Sequence, residues 1–142
     1  MMTESEANAW CAGVFVADGT CGLYPNRHTG KVYHRLTIAV RMSDEETVRQ
    51  WATLMGTRYR IYYEKGGLLM HDAFTQSSDD AIRIADALEP FLTGPKAARF
   101  RLIRLMAEDI RRHKGNYSHP PEVIEYRDQI YDAFLQLRAG AT

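Results

Sequence analysis

The clearest pattern in the chain is a strict alternation over residues 31–42, KVYHRLTIAVRM. One parity is apolar through Leu36, Ile38 and Val40, and the other is basic through Arg35 and Arg41. A period of two is typical of a β-strand with one buried and one solvated face. The stretches RYRIYYE and LLMHDAFT alternate in the same way around a Gly-Gly turn, and they predict a second hairpin.

Segments whose apolar residues have helical spacing lie before, between and after these strands. The predicted elements in chain order are a helix over 5–17, a strand over 20–25 ended by Pro25, a turn over 26–30, the strand over 31–42, a helix from a Ser43 cap to Gly56, the second hairpin, and helices over 78–92, 95–112 and 120–138. This order predicts an α+β fold, in which a four-stranded antiparallel, saddle-shaped sheet carries helices on one face and an extra C-terminal helix is added. We predict a main domain over 1–114 and a C-terminal helical extension over 115–142, packed on or next to it.

Composition places the chain among ordinary soluble proteins. Its 142 residues are 45% hydrophobic and 25% charged, and no apolar run is long enough to cross a membrane. The first residues include Glu4 and Glu6 but no basic start, which is unlike a signal peptide. We therefore expect a cytoplasmic protein with no membrane partner.

Charge is neutral in total but uneven along the chain. There are 18 basic and 18 acidic side chains, yet Gly19–Ser43 contains no acid. We expect one sheet face to be basic, with Glu64 as its only acid. Such a face is either simply solvated or lies in a nucleic-acid groove, where arginine and tyrosine contact phosphates and base edges. The candidate DNA-contacting residues are Arg27, Lys31, Tyr33, Arg35, Arg41, Arg58, Arg60, Tyr62, Lys65 and His71.

A carboxylate ends the run of small and apolar residues CAGVFVADG at residues 11–19. This run resembles the signature of the LAGLIDADG homing endonucleases, although Val16 replaces the motif's first aspartate. The residues identical to the motif are Ala12, Gly13, Ala17, Asp18 and Gly19. The element order and the stretch LEPFL at 88–92, followed by a lysine, extend the resemblance over about residues 8–110.

The resemblance implies a homodimer that cuts double-stranded DNA at a long pseudo-palindromic site with Mg²⁺ or another divalent cation. Asp18 and Gly19 stand at the metal-binding positions, and Lys96 and Asp44 are the further catalytic candidates. Small residues let two helices approach more closely than the usual separation of about 8–10 Å, so the motif helix is the expected dimer interface. The interface candidates are Trp10, Ala12, Gly13, Val16 and Ala17. Two Asp18 carboxylates brought together across a two-fold axis would repel each other unless a cation lay between them.

Several of these assignments have an alternative. An Asp-Gly pair is common in turns, so Asp18 could simply end a helix, and Asp44 fits equally well as a first-turn acid that stabilises a helix dipole. The same scaffold could serve as a DNA-binding regulator without cleavage, or as a splicing helper for intron RNA. An interaction module of the same fold class, without nucleic acid, is a further alternative.

Overall fold

A computed structural model describes residues 1–28, 31–114 and 119–140, with the backbone alone for 26–28, 31–33 and 138–140. Over these residues the chain forms five α-helices and four β-strands in the order that the sequence predicts. The elements are α1 (Glu4–Asp18), β1 (Gly19–His28), β2 (Lys31–Met42), α2 (Glu45–Met55), β3 (Arg58–Tyr63), β4 (Leu69–Thr75), α3 (Ser78–Leu88), a 3₁₀ turn (Glu89–Phe91), α4 (Gly94–Arg112) and α5 (Pro121–Gly140). None of the helices among the described residues combines the length and the apolarity that crossing a membrane requires.

Helix boundaries follow from capping side chains. At α1, the Thr3 hydroxyl accepts from the Glu6 amide at 3.1 Å and the Glu6 carboxylate accepts from the Thr3 amide at 3.2 Å. The predicted Ser43 cap of α2 is wrong, because Asp44 is the N-cap. The two carboxylate oxygens of Asp44 accept from the Thr47 amide and from the Thr47 hydroxyl, at 3.3 and 2.8 Å respectively, and so cap the first turn of the helix. Gly56 ends the helix at φ 65°, in the left-handed region where glycine is favoured.

The sheet is antiparallel with strand order β1-β2-β4-β3, so that β1 and β3 are its edges. The prediction that β1 ends at Pro25 is wrong, because the strand continues to His28. Proline lacks an amide hydrogen, and an edge strand tolerates this because one side of it needs no ladder bonds. Residues 29–30 of the predicted 26–30 turn lie outside the described residues, and the register pairs His28 with Lys31 across it.

Helices cover one face of the sheet, and the hydrophobic core lies between that face and the helices. Leu36, Ile38 and Val40 of β2 point into that core, as their parity predicts. The Trp51 indole donates to the Cys11 carbonyl at 3.0 Å and so ties α2 to α1. The Phe15 and Phe100 rings pack edge to face with their centroids 5.1 Å apart, and this contact joins α1 to α4. The α+β architecture predicted from the sequence is therefore confirmed.

Helix α5 packs against α4, and Ile130 and Phe134 belong to the same apolar core as the sheet. A buried ion pair joins the two helices, since Arg127 Nε donates to Asp109 Oδ2 at 2.7 Å. The division of the chain at residue 114 stays a prediction.

Candidate functional site

Asp18 is the last residue of α1, and its side chain is exposed. The C-terminal end of a helix carries partial negative charge, so an anion there is unfavourable without a cation nearby. The last turn of α1 contains no basic residue that could supply one. Asp18 therefore lies at a point where the local electrostatics favour a bound or neighbouring positive charge.

Lys96 supplies the cation that the end of α1 lacks. Its ammonium donates to the carbonyl oxygens of Phe15, Val16 and Gly19 at 3.1, 2.7 and 2.9 Å. Partial burial and the neighbouring Arg99 guanidinium lower the pKa of Lys96, and Asp18 acts in the opposite direction. The structure thus brings Lys96 to the motif helix, as a side chain that fixes the helix end from which Asp18 projects.

Gly19 is required by a close approach rather than by an unusual backbone angle, because its φ is −80°. A Cβ atom built at this position would lie 2.2 Å from Phe15 Cδ2 and 2.5 Å from the Phe15 carbonyl oxygen. The Gly19 carbonyl, which the resemblance offers as a metal ligand, already accepts from Lys96. A metal at that oxygen would have to compete with the ammonium, so Asp18 is the better-placed ligand.

A cleft of about 560 Å³ opens beside Asp18 along the edge strand β1. Lys96 and Arg99 line it from α4, and Tyr131 lines it from α5. Sequence analysis missed Arg99 and Tyr131. The signal for Arg99 was its spacing, because a residue three positions after Lys96 shares the same helix face. Tyr131 offered no signal, since only the packing of α5 brings it to the cleft.

Asp44 is placed by the structure as the cap of α2 described above. Hydrogen bonds from the Thr47 hydroxyl and amide lower the pKa of Asp44 below its usual range. Thr47 also borders a shallow groove that Asp18 and Ala17 line, so Asp44 lies at the margin of the candidate centre. The hydrogen bonds that the Asp44 side chain makes with described residues are those of a helix cap, and its catalytic role stays a prediction.

The outer face of α1 is exposed and built from small side chains. Gly13, Val16 and Ala17 are exposed, and a Cβ atom at Gly13 would meet no atom within 4 Å. Trp10 is partly buried and packs against the core. The predicted interface role of Ala12 is wrong, because its side chain is 1% exposed and points into the chain's own core. Of the five interface candidates, Gly13, Val16 and Ala17 are therefore the exposed ones.

The sheet face opposite the helices carries the predicted arginines. Arg35, Arg41, Arg58 and Arg60 are exposed there, and the Arg35 guanidinium lies 5.8 Å from the Tyr24 ring centroid. The side chains of Arg27, Lys31 and Tyr33, which were predicted to join them, lie outside the described residues. Tyr62 is half-buried on this face, and Lys65 is exposed in the turn between β3 and β4.

His71 does not belong to this face, which corrects the sequence prediction. Its side chain is 3% exposed and hydrogen-bonds the Tyr59 hydroxyl on the helix-covered side. The opposite parity of β4 therefore faces out, and it brings Asp72 onto the basic face. The predicted single acid, Glu64, is accompanied by this second one, which sequence analysis missed. The alternation along β4 was visible in the sequence, but the sequence did not show which of its two sides the helices cover.

The described residues contain no group of three or more His, Cys, Asp or Glu side chains placed to hold a metal ion. Asp18 alone still suits a hard divalent cation, because its oxygens are exposed and magnesium commonly binds through one or two carboxylates together with waters and substrate phosphates. One carboxylate per chain fits a site completed from outside the chain.

Comparison with known proteins gives a structural match but no sequence match. No sequence model of a protein family matches the chain, and no curated protein does. The homing endonuclease I-CvuI, solved with its target in the presence of calcium, matches with a TM-score of 0.74 and 18% identity over 94% of this chain and 83% of that one. The archaeal intron-encoded homing endonuclease I-Vdi141I, complexed with DNA, matches with a TM-score of 0.77 and 12% identity over 95% and 86%.

The LAGLIDADG homing endonuclease I-GzeII, in complex with its DNA target, matches with a TM-score of 0.73 and 15% identity. That match covers 87% of this chain but 43% of I-GzeII. The likeness at these identities concerns the fold. The chain has the fold of the LAGLIDADG homing endonucleases, so the resemblance carried by the motif and the element order is confirmed at that level.

Proposed function

We propose that this chain, which has the LAGLIDADG homing endonuclease fold, is a homodimeric, divalent-metal-dependent endonuclease for double-stranded DNA. The observation that carries the proposal is the position of Asp18. It ends a helix whose outer face is exposed and small, and it lies where that helix meets a sheet with an open arginine-rich face.

The outer face of α1 supports the dimer. Gly13 and Ala17 leave room for a second helix to approach more closely than the usual separation of about 8–10 Å. A two-fold axis along this face would bring two copies of Asp18 together, one from each chain. The repulsion between two such carboxylates is relieved when a cation binds between them.

Each chain contributes binding and positioning groups to the reaction. Asp18 would hold the divalent cation, which when bound activates a water molecule and stabilises charge on a phosphodiester. Lys96 holds the end of α1, and with it Asp18, through three carbonyl oxygens. The arginines of the open face bind DNA phosphates and base edges, at a long site that the two-fold symmetry would make pseudo-palindromic.

A DNA-binding regulator without cleavage is the second candidate, and one observation favours it. Of the three predicted catalytic side chains, Lys96 is committed to carbonyl oxygens and Asp44 to a helix cap. Of these three side chains, only that of Asp18 makes no hydrogen bond with another described residue.

The test is a nicking assay run beside a gel-shift assay on a plasmid that carries the DNA flanking this gene. Wild-type protein with Mg²⁺ should cut it, and Asp18→Asn should lower cleavage by at least about a hundredfold while binding in Ca²⁺ persists. Glu122→Gln removes an exposed carboxylate at the start of α5 and serves as the matched control. Binding without cutting by the wild type would favour the regulator, and full cutting by Asp18→Asn would refute the assigned role.

A further inference from the structure

Three side chains stand in one row across the open sheet face. The register pairs Arg41 of β2 with Asp72 of β4, and Asp72 with Arg60 of β3. Directly paired residues of neighbouring strands project from the same face, so the carboxylate lies between two guanidinium groups. Arg60 Nε donates to Asp72 Oδ2 at 2.8 Å, and Arg41 Nη2 lies 3.5 Å from the same oxygen.

Burial divides this row unequally. The Asp72 side chain is fully buried, whereas the side chains of Arg41 and Arg60 are 45% and 53% exposed. A buried carboxylate is costly unless it is paired, so the two arginines must stay on it. Asp72 therefore acts as a fixed anchor beneath two cations that still reach solvent.

Aromatic rings hold the guanidinium groups from the sides. Arg60 Cζ lies 4.4 Å from the Phe74 ring centroid and 5.9 Å from that of Tyr62. Arg41 Cζ lies 5.0 Å from the Tyr62 centroid. A guanidinium on an aromatic face gains a cation–π attraction and loses freedom to rotate. The row is thus restrained before any ligand arrives.

The atoms left over on Arg60 define what it can bind. Its Nε is used on Asp72, while neither terminal nitrogen donates a hydrogen bond to another described residue. Two such donors in a rigid planar fork match the O6 and N7 acceptors of guanine in the major groove. Restraining the side chain beforehand removes part of the entropy cost of binding.

We propose that Asp72 is a positioning residue that orients Arg60, with Arg41 beside it, to read guanine in the major groove of DNA. The proposal rests on the proposed DNA-binding function but not on cleavage. Stability gives a weaker account of the row, because a buried ion pair can often be replaced by apolar residues without loss. Asp72 Oδ1 is moreover buried without a hydrogen bond from any described residue, which a purely structural carboxylate would be expected to avoid.

The experiment measures base preference by selecting from a library of duplexes randomised across the binding site, in Ca²⁺. Arg60→Ala should abolish a guanine preference at one position of each half-site, which identifies the contacted base. Asp72→Asn should lower the guanine-over-adenine ratio at that same position by about five- to tenfold while affinity for non-specific DNA is kept. Phe74→Leu, which removes the ring beside Arg60 and leaves Asp72 in place, should lower the ratio by a smaller factor.

Arg58→Ala is the matched control, because Arg58 lies on the same face of β3 but makes no ion pair with a described residue. It should weaken binding on all sequences alike and leave the guanine preference unchanged. Circular dichroism checks the fold of each variant. The proposal is overturned if folded Asp72→Asn keeps the preference, or if Asp72→Asn unfolds and Phe74→Leu keeps it. It is also overturned if Arg60→Ala changes no position, whereas a wild type that binds no duplex at low salt overturns the DNA-binding function itself.

Discussion

Replacing Lys96 by methionine tests whether this lysine fixes the end of the motif helix. Methionine keeps the length and apolar stem of the side chain but removes the ammonium that three α1 and β1 carbonyl oxygens accept from. The variant should fold to the same structure with a weakened α1 terminus, so that both stability and the placement of Asp18 suffer.

The size of the loss follows from the contacts. A net hydrogen bond contributes about 1 kcal/mol, and a cation at a helix C-terminus adds roughly 0.3–1 kcal/mol. Water replaces part of this, because Lys96 is only partly buried, so we expect Lys96→Met to cost about 2–3 kcal/mol in the free energy of unfolding. In a chain of this size that corresponds to a fall in Tm of roughly 4–12 °C.

Thermal and urea denaturation followed by circular dichroism measure the effect, with Lys65→Met as the control. Lys65 is exposed in a turn and makes no hydrogen bond or ion pair with another described residue, so its loss should change Tm little. Wild-type stability in Lys96→Met would refute the capping role. If that stable variant had also lost cleavage, Lys96 would act on the substrate instead.

Two further predictions concern the motif helix and the cap of α2. Gly13→Leu should leave the isolated subunit folded, because a side chain at this position meets no neighbouring atom, but sedimentation should show a monomer instead of a dimer. Gly13→Ala, which introduces only a small side chain, should still dimerise. A dimer of Gly13→Leu would place the interface elsewhere. Asp44→Ala should lower Tm at neutral pH yet keep cleavage. Because the pKa of Asp44 is lower in the folded state than in the unfolded state, the stability that Asp44 contributes should be full at a pH above the unfolded-state pKa. That contribution should vanish as the pH falls through the folded-state pKa. Loss of cleavage with an unchanged Tm would instead make Asp44 catalytic.

Local pattern in the sequence determined the order of elements and the alternation of each strand. Gly56 ends α2 because a glycine adopts the left-handed angle without steric cost, and that is decided by the residue itself. The parity of β2 was equally unambiguous, since one of its faces is apolar and the other basic. The motif residues Asp18 and Gly19 were likewise identified by sequence, and the fold they imply is the one observed.

Tertiary structure decided which face of each element is covered and which distant groups meet. Both parities of β4 mix apolar and polar residues, so only the packing of helices could bury His71 and leave Asp72 beneath the arginines. Ala12 fits an interface as well as a core by its size, and its burial depends on how α1 lies on the sheet. Lys96 reaches carbonyl oxygens about 80 residues away in the chain, a contact that no local pattern encodes. A sequence specifies the periodicity of its own elements directly, but contacts between them arise only once the whole core has packed.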